Sequence, residues 1–385
     1  VYFCRYDVTE LLAEGINTLS VCLGNGWYRQ TKRTAEGHLE FGKRLIARFS
    51  LRYIDNNEQQ HEILSDGTET WRQTEVVENN LFYGETQDLR RLVKNDSRCP
   101  VTTEDDFPTT FTLQICPAER IIRKITPKLI NKTESKKIYD VGETVSGWVR
   151  LLATGNSGEV VTVNHAECIT KDCRLDVNSC GGDITNDQGE RQLQRNRYIL
   201  DGNKRQLYPK FCKQAFRFFE VDGNADVVGV DVVHTDLSER TTFLCSNGVL
   251  NWLYSAYKRT QLINMHDGLP SDCPHRERLG YTGDGQITAS AAMTMFECEA
   301  FYRKWISDIC DCQNIDNGHV QHTAPFYGGG GGPVGWGGAI VQVPYAFYLH
   351  YGDKTLVEQV FPYMQKWVNY IVSRTEEGLV CREES

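Results

Sequence analysis

Between Leu269 and Gln286, three carboxylates (Asp272, Glu277, Asp284), two arginines (Arg276, Arg278), His275 and Tyr281 are gathered in a stretch punctuated by prolines and glycines. It opens onto an Ala- and Met-rich run, Gln286 to Phe296, that reads as a helix. Irregular backbone held between helices is where catalytic groups collect. A carboxylate beside an arginine stays ionised and orients hydroxyl groups, whereas one sheltered among apolar neighbours keeps its proton and acts as an acid. The plainer alternative is a helix-capping loop with surface ion pairs. A second stretch runs from Asn317 through His319 and His322 to Tyr327, then five glycines, Gly328 to Gly332, and Trp336. Glycines let backbone approach a ligand closely, and Trp336 offers a stacking face. Here the alternative is a surface loop with a core tryptophan. No Lys-Ser/Thr pair follows the glycines, so a phosphate-binding loop is not supported.

Metal chemistry finds little support. The fourteen cysteines contain no paired CxxC spacing. His165, Cys168, Cys173 and Cys180 form one cluster, which reads better as scattered, reduced thiols. No cofactor is implied, and nothing in the sequence supports a structural Ca²⁺.

The elements that must position these residues change character near residue 240. Before it the patterns have period two. Ala47 to Tyr53 alternates and is broken by Asp55-Asn56-Asn57, and Thr18 to Leu23 alternates ahead of the turn dipeptide Asn25-Gly26. Gly147 to Leu152, a turn between Gly155 and Gly158, and Val160 to Val163 read as a hairpin; Phe216 to Val221 is a further strand. A polar, Pro-punctuated stretch from Lys94 to Pro108, with Asp96, Asp105 and Asp106, reads as a linker. After residue 240 the period is helical. Asn247 caps a run with Leu250, Leu253, Tyr254 and Tyr257 on one face; Phe301, Trp305, Ile309 and Cys312 recur on another; Asp353 caps a stripe from Val357 to Ile371. The expected fold is two antiparallel, jelly-roll-like β-sandwiches followed by a helical domain, divided as 1–95, 96–238 and 239–385. A net charge of −9 excludes a phosphate-binding surface, so nucleic acid is not a partner. No apolar run is long enough for a membrane helix. Seven Trp and 18 Tyr suit stacking on sugar faces.

The run Asp272-Cys273-Pro274-His275-Arg276-Glu277-Arg278-Leu279-Gly280-Tyr281-Thr282-Gly283-Asp284 resembles the signature of bacterial α-L-rhamnosidases of glycoside hydrolase family 78. Leu23-Gly24-Asn25-Gly26-Trp27-Tyr28, Tyr83-Gly84-Glu85, Tyr139-Asp140-Val141-Gly142 with Gly147-Trp148-Val149, His165-Ala166-Glu167, and Phe301-Tyr302-Arg303-Lys304-Trp305 are similar to other parts of that family. The resemblance covers essentially the whole chain. It implies that the helical segment is the first part of an (α/α)6 barrel and that the substrate is a rhamnose-containing glycoside or polysaccharide, cleaved with inversion. It further implies Glu277 as general acid. Asp272, Arg276 and Asp284 would hold rhamnose hydroxyls and tune that acid, Tyr281 and Trp336 would line the sugar pocket, and His322 would stand nearby. The family's base is a Glu far downstream, expected beyond residue 385; none of Glu376, Glu377, Glu383 or Glu384 stands in a context to replace it. Many relatives carry an acidic residue where this chain has Gly338 and Gln342.

Two other readings remain: a non-catalytic carbohydrate-binding protein, or an (α/α)6 enzyme acting on another deoxy sugar or as a polysaccharide lyase. A homodimer is compatible with the sequence but not indicated by it. The many unpaired cysteines lean toward a reducing compartment, which sets a bacterial cytoplasm ahead of the periplasm. A start at Val1 without Met or signal peptide reads as an internal piece of a longer protein.

Overall fold

The computed structural model describes residues 1–30, 41–94, 98–103, 110–186, 189–328 and 334–382. Its centre is a ten-stranded sheet built from β1 (Val76–Asn80), β2 (Gly84–Asp88), β3 (Glu119–Ile125), β4 (Lys128–Lys132), β5 (Lys136–Ala153), β6 (Val160–Ala166), β7 (Arg195–Ile199), β8 (Arg205–Leu207), β9 (Gln214–Asp222) and β10 (Ala225–Thr235). The order is β1-β2-β7-β6-β9-β5-β10-β3, with β4 and β8 also paired to β5. Only β2 and β7 run parallel within this sheet.

The long strand β5 makes the sheet curl. Its first half pairs with β9 and its second half with β10, and Gly147 faces both Gln214 and Val232. The register slips between Asp140 and Val145, where Gly142 takes a φ of 89°. The curl brings Lys137 near the start of β10, where its Nζ donates to the Ala225 carbonyl at 3.0 Å. Val145, Leu151, Val161, Val163, Phe216, Phe219 and Val230 are buried inside. Burying this alternating apolar face is the main drive for the sheet.

Three differences from the sequence reading stand out. Residues 147–152 and 160–163 do not form a hairpin, because β9 lies between β5 and β6: Phe219 faces Tyr139 on one side and His165 on the other. The Gly155/Gly158 signal marks a turn correctly but cannot name the partner strand. Second, the described backbone of residues 1–75 forms two-stranded pairs (Tyr2–Phe3 with Thr112–Leu113, Ser50–Ile54 with Gln60–Leu64, Thr70–Trp71 with Cys99–Pro100) rather than a sandwich. Among the described residues, buried hydrophobic side chains begin at Phe82, and Leu19 and Val21, in the alternating stretch, are exposed and in no strand. Third, β1 and β2 precede the expected linker yet pair into the sheet that follows it. Most of that linker, with Asp96, Asp105 and Asp106, lies outside the described residues.

Five helices of thirteen residues or more follow among the described residues: α1 (Gly248–Ile263), α2 (Thr282–Met295), α3 (Glu299–Asp311), α4 (Ala339–Tyr351) and α5 (Lys354–Ser373). Side chains of Asn247 and Asp353 accept from first-turn amides of α1 and α5. Phe296, Phe301, Tyr302, Trp305, Ile309 and Phe347 form a second core. The apolar faces are not all covered: Leu250 and Leu253 of α1, and Phe361 and Val368 of α5, are exposed. No described helix is long and apolar enough to cross a membrane.

Polar contacts fasten helices to sheet. Glu119, at the start of β3, is paired with Lys213 and lies 2.9 Å from His266 Nδ1, while His266 Nε2 lies 2.8 Å from the Ile263 carbonyl. Burial disfavours the Glu119 charge, but Lys213 and His266 hold its carboxyl well below the usual range. Thr235 donates to the Met265 carbonyl at 2.8 Å. These contacts fix the pair Met265–His266 and Leu269–Pro270, from which the carboxylate-rich loop departs.

The two glycines of β5 separate conformational freedom from close approach. A Cβ on Gly147 (φ 152°) would stand 1.9 Å from the Asp231 carbonyl oxygen, whereas one on Gly142 would meet nothing within 4 Å. Gly142→Ala should lower unfolding free energy by about 1 kcal/mol through its φ, and Gly147→Ala by clearly more. Urea denaturation of both variants checks this, and equal losses would contradict the close-approach account.

Candidate active site

The loop from Ser271 to Tyr281 is held at both ends. Ser271 donates its amide to the Asn264 carbonyl at 2.8 Å, and Thr282 N donates to the His322 carbonyl at 2.8 Å. Across it, the Asp272 amide reaches the Leu279 carbonyl at 3.2 Å and Ala324 N reaches the Gly280 carbonyl at 2.9 Å. The second predicted stretch therefore lies beside the first, with Tyr281 bridged to Thr323. Two glycines of α2 make room for tryptophans. A Cβ on Gly283 would come within 2.5 Å of Trp336, and one on Gly285 within 2.2 Å of Trp305. Trp336 is 38% exposed, so it covers the start of α2 while keeping a face to solvent.

Within the loop the carboxyls of Asp272 and Glu277 are hydrogen-bonded to each other. Cys273 completes the group: Glu277 N donates to its sulfur at 3.3 Å, and its Sγ lies 3.8 Å from Glu277 Oε2. Arg276 Nη2 donates to Glu277 Oε1 at 3.1 Å. Burial, followed by the hydrogen bond to Glu277 and the adjacent Cys273, pushes the Asp272 carboxyl up to about 10. Glu277 moves the other way, lowered first by the Asp272 hydrogen bond and then, against its own desolvation, by Arg276. The pair thus holds one proton at neutral pH, on Asp272, with the negative charge on Glu277 facing Arg276. Asp284, in the first turn of α2, is pushed up by desolvation and by the charge of Glu277, although its side chain reaches solvent.

The predicted residues come together unequally. Glu277 contacts both Asp272 and Arg276, Asp284 feels the charge of Glu277, and Trp336 packs on the glycine preceding Asp284. Tyr281 and His322 form an aromatic pair, ring centres 5.6 Å apart, and His322 also faces Phe326 at 6.4 Å. The glycines at 329–332 lie outside the described residues. Three other participants lie far from the loop in sequence, and of them only Glu167 belongs to a stretch that carries the family resemblance. Gln192 donates to the Arg276 carbonyl at 2.9 Å, Glu167 lies 3.4 Å from His275, and a Cβ on Gly181 would touch Arg276 at 2.9 Å. All three come from the sheet's excursion between β6 and β7, more than eighty residues earlier in the chain. Trp27, Phe82 and Tyr327 add an edge-to-face aromatic cluster beside Leu279 and Tyr281.

Asp272, Cys273 and Glu277 offer donor atoms within 4.8 Å of one another, the only such metal-capable group among the described residues. Asp272 and Glu277 share a hydrogen bond there, and Cys273 Sγ accepts from Glu277 N. His165, Cys168, Cys173 and Cys180 do not gather: His165 is buried against the Gln194 carbonyl at 2.8 Å, while Cys168 and Cys173 are exposed. A separate cavity of about 640 Å³ between α2, α4 and α5 is lined mainly by apolar side chains such as Ile287, Val341 and Val368 and contains none of the carboxyls.

Paired carboxyls, an arginine and aromatic faces held between a curled β-sheet and a set of helices make a site suited to a polar, hydroxyl-bearing ligand. Three family models narrow it. Residues 1–111 match the alpha-L-rhamnosidase N-terminal domain, 130–240 the bacterial alpha-L-rhamnosidase concanavalin-like domain, and 238–385 the bacterial alpha-L-rhamnosidase 6 hairpin glycosidase domain. The chain belongs to the bacterial α-L-rhamnosidase family. It is 29% identical over 417 residues to an alpha-L-rhamnosidase of Formosa agariphila, covering 98% of this chain and 42% of that one. It is also 29% identical to one of Streptomyces avermitilis, covering 99% of this chain and 37% of that one. It therefore spans about two-fifths of the length of these relatives. Among solved structures, the Streptomyces avermitilis enzyme complexed with L-rhamnose superposes with a TM-score of 0.80 at 27% identity, over 91% of this chain and 35% of that chain. The alpha-L-rhamnosidase from Dictyoglumus thermophilum gives 0.77 at 26% identity, over 85% and 38%.

The shared proton has a signature in stability. Asp272 is raised in the folded state, so its contribution is complete below its unfolded value near 3.9 and is lost as pH rises toward about 10. Glu277 is lowered, so its contribution is lost only as pH falls below its usual range. Between pH 7 and 8, above the range where His165, lowered to about 4, and Asp308, raised to about 6, also change stability, Asp272 sets a downward slope. Unfolding free energy should decline with pH across that window, by at most about 1.4 kcal/mol per pH unit, and Asp272→Asn should flatten the decline. Parallel slopes in urea titrations of the two proteins would contradict the assignment.

Proposed function

We propose that the protein hydrolyses terminal α-L-rhamnosides with inversion, and that Glu277 delivers the proton to the departing glycosidic oxygen. The observation that carries this reading is the Asp272–Glu277 carboxyl pair, which keeps one proton at neutral pH beside Arg276. Glu277 is the more exposed partner and so the one a sugar oxygen meets; Asp272 holds the proton until it passes through the shared hydrogen bond. Arg276 and Asp284 receive sugar hydroxyls, Tyr281 and Trp336 flank the ring, and His322 supports Tyr281. The rhamnose complex of the Streptomyces avermitilis relative supports the choice of sugar.

An inverting glycosidase needs acid and base about 6.5–9.5 Å apart, with water between. Asp272, in hydrogen-bond contact with Glu277, leaves no such space and is not the base. That role falls to another carboxylate, expected beyond residue 385, and helices α1–α5 are read as the first part of an (α/α)6 barrel that would present it.

Glu277→Gln should leave rhamnose affinity, measured by calorimetry, largely intact. It should lower kcat on alkyl α-L-rhamnosides by about 10²–10⁴-fold. Undiminished turnover would remove Glu277 from the role. Rhamnose binding without turnover in wild-type protein that carries the downstream base would favour a carbohydrate-binding function instead.

A further inference from the structure

The residue after Glu277 is a buried cation. Arg278 is 7% exposed and forms no ion pair among the described residues. The two terminal nitrogens of its guanidinium donate to neutral carbonyls of the sheet, Nη1 to the Lys213 carbonyl at 2.9 Å and Nη2 to the side-chain oxygens of Gln194 and Gln214, each at 3.2 Å, while Nε is buried without a partner. It also lies 6.0 Å from the Phe82 ring centre. The acceptors are themselves fixed, since Gln194 exchanges two hydrogen bonds with the Ala215 backbone, both at 2.9 Å. Arg278 holds a left-handed φ of 59°, which a residue with a side chain keeps only when its surroundings demand it. Burial disfavours the charge of Arg278. A buried, strained, carboxylate-free arginine is a costly way to fill space, yet a planar fork is the one side chain that reaches three carbonyls on two strands at once.

We propose that Arg278 is the positioning residue for the general acid: its fork locks the catalytic loop onto the ends of β7 and β9 and so fixes where the Glu277 carboxyl stands. The proposal rests on reading Glu277 as that acid. Position rather than charge is the means: the Glu277 carboxyl responds chiefly to Asp272, its own burial, Arg276 and Cys273, while the Arg278 fork is spent on the sheet. The contacts of Gln192 with Arg276 and of Glu167 with His275 steady the same loop from the same side. The sheet is therefore part of the catalytic apparatus, although it supplies no reacting group.

A misplaced acid fails selectively. Substrates whose leaving group needs protonation suffer, while those with an acidic leaving group scarcely notice. In Arg278→Met, kcat on methyl α-L-rhamnoside should fall about 10²-fold, while kcat on 2,4-dinitrophenyl α-L-rhamnoside changes only a few-fold. The limbs of the pH profile should stay where they are, and Arg278→Lys should fall between the two proteins. Gln214→Met removes one acceptor and leaves Arg278 in place, so it should show the same selectivity more weakly even where Arg278→Met folds poorly. Hydrogen exchange in the peptide spanning 271–281 should quicken in both variants. Equal losses on the two substrates, a displaced pH limb, or unaltered exchange would overturn the proposal. Wild-type protein that carries the downstream base and still cleaves neither rhamnoside would instead defeat the rhamnosidase reading, and the exchange result would still decide whether Arg278 docks the loop.

Discussion

The hydrogen bond between the carboxyls of Asp272 and Glu277 is the constraint around which the rest of the site is arranged. Two carboxyls in contact cannot both ionise cheaply, so the pair must hold a proton or be forced apart. Which partner holds it is set by surroundings. Asp272 is turned inward, where burial raises its carboxyl, and Glu277 is turned toward Arg276, which stabilises its charge. On the proposed reading of Glu277 as the general acid, Arg276 alone would leave it a poor proton donor at neutral pH. The neighbouring protonated carboxyl resolves that conflict by keeping a proton one hydrogen bond away.

Such a pair works only if its geometry is maintained, and the loop that carries it has no regular secondary structure of its own. Support comes from three directions. The helical core holds the loop's exit through Thr282 and the 320–326 segment, and the sheet holds its middle through Arg278, Gln192 and Glu167. The cluster of Glu119, Lys213 and His266 fixes its entry. The curl of β5 matters here because it fixes how the sheet closes on itself, with β9 and β10 on either side of β5. The chain start of β9 supplies Lys213 and Gln214, and the approach to β7 supplies Gln194.

Local signals in the sequence carry a good part of this. The helices after residue 240 follow from their periodicity and from Asn247 and Asp353 as caps, and the reactive loop stands out because polar, proline- and glycine-rich sequence rarely concentrates three carboxylates by accident. What was not legible is pairing over distance. Strand partners of β5 and β6 are decided by which apolar faces close over one core, so the turn at Gly155 suggested a hairpin that β9 in fact separates. Alternation in Thr18 to Leu23 suggested a strand where the chain has no ladder partner. The direction of the Asp272–Glu277 pair was equally hidden. Glu277 has arginines on both sides in sequence, but only Arg276 reaches it, while Arg278 turns away through a left-handed backbone into the sheet.

The most direct test of the shared proton is a carboxyl infrared spectrum at pH 7, taken as the difference between the wild-type protein and Asp272→Asn. The account predicts that the wild type carries a protonated-carboxyl carbonyl band that the variant lacks. A difference spectrum showing only the loss of an ionised carboxylate would contradict it, because both members of the pair would then be charged and the proton assigned to Asp272 would not exist.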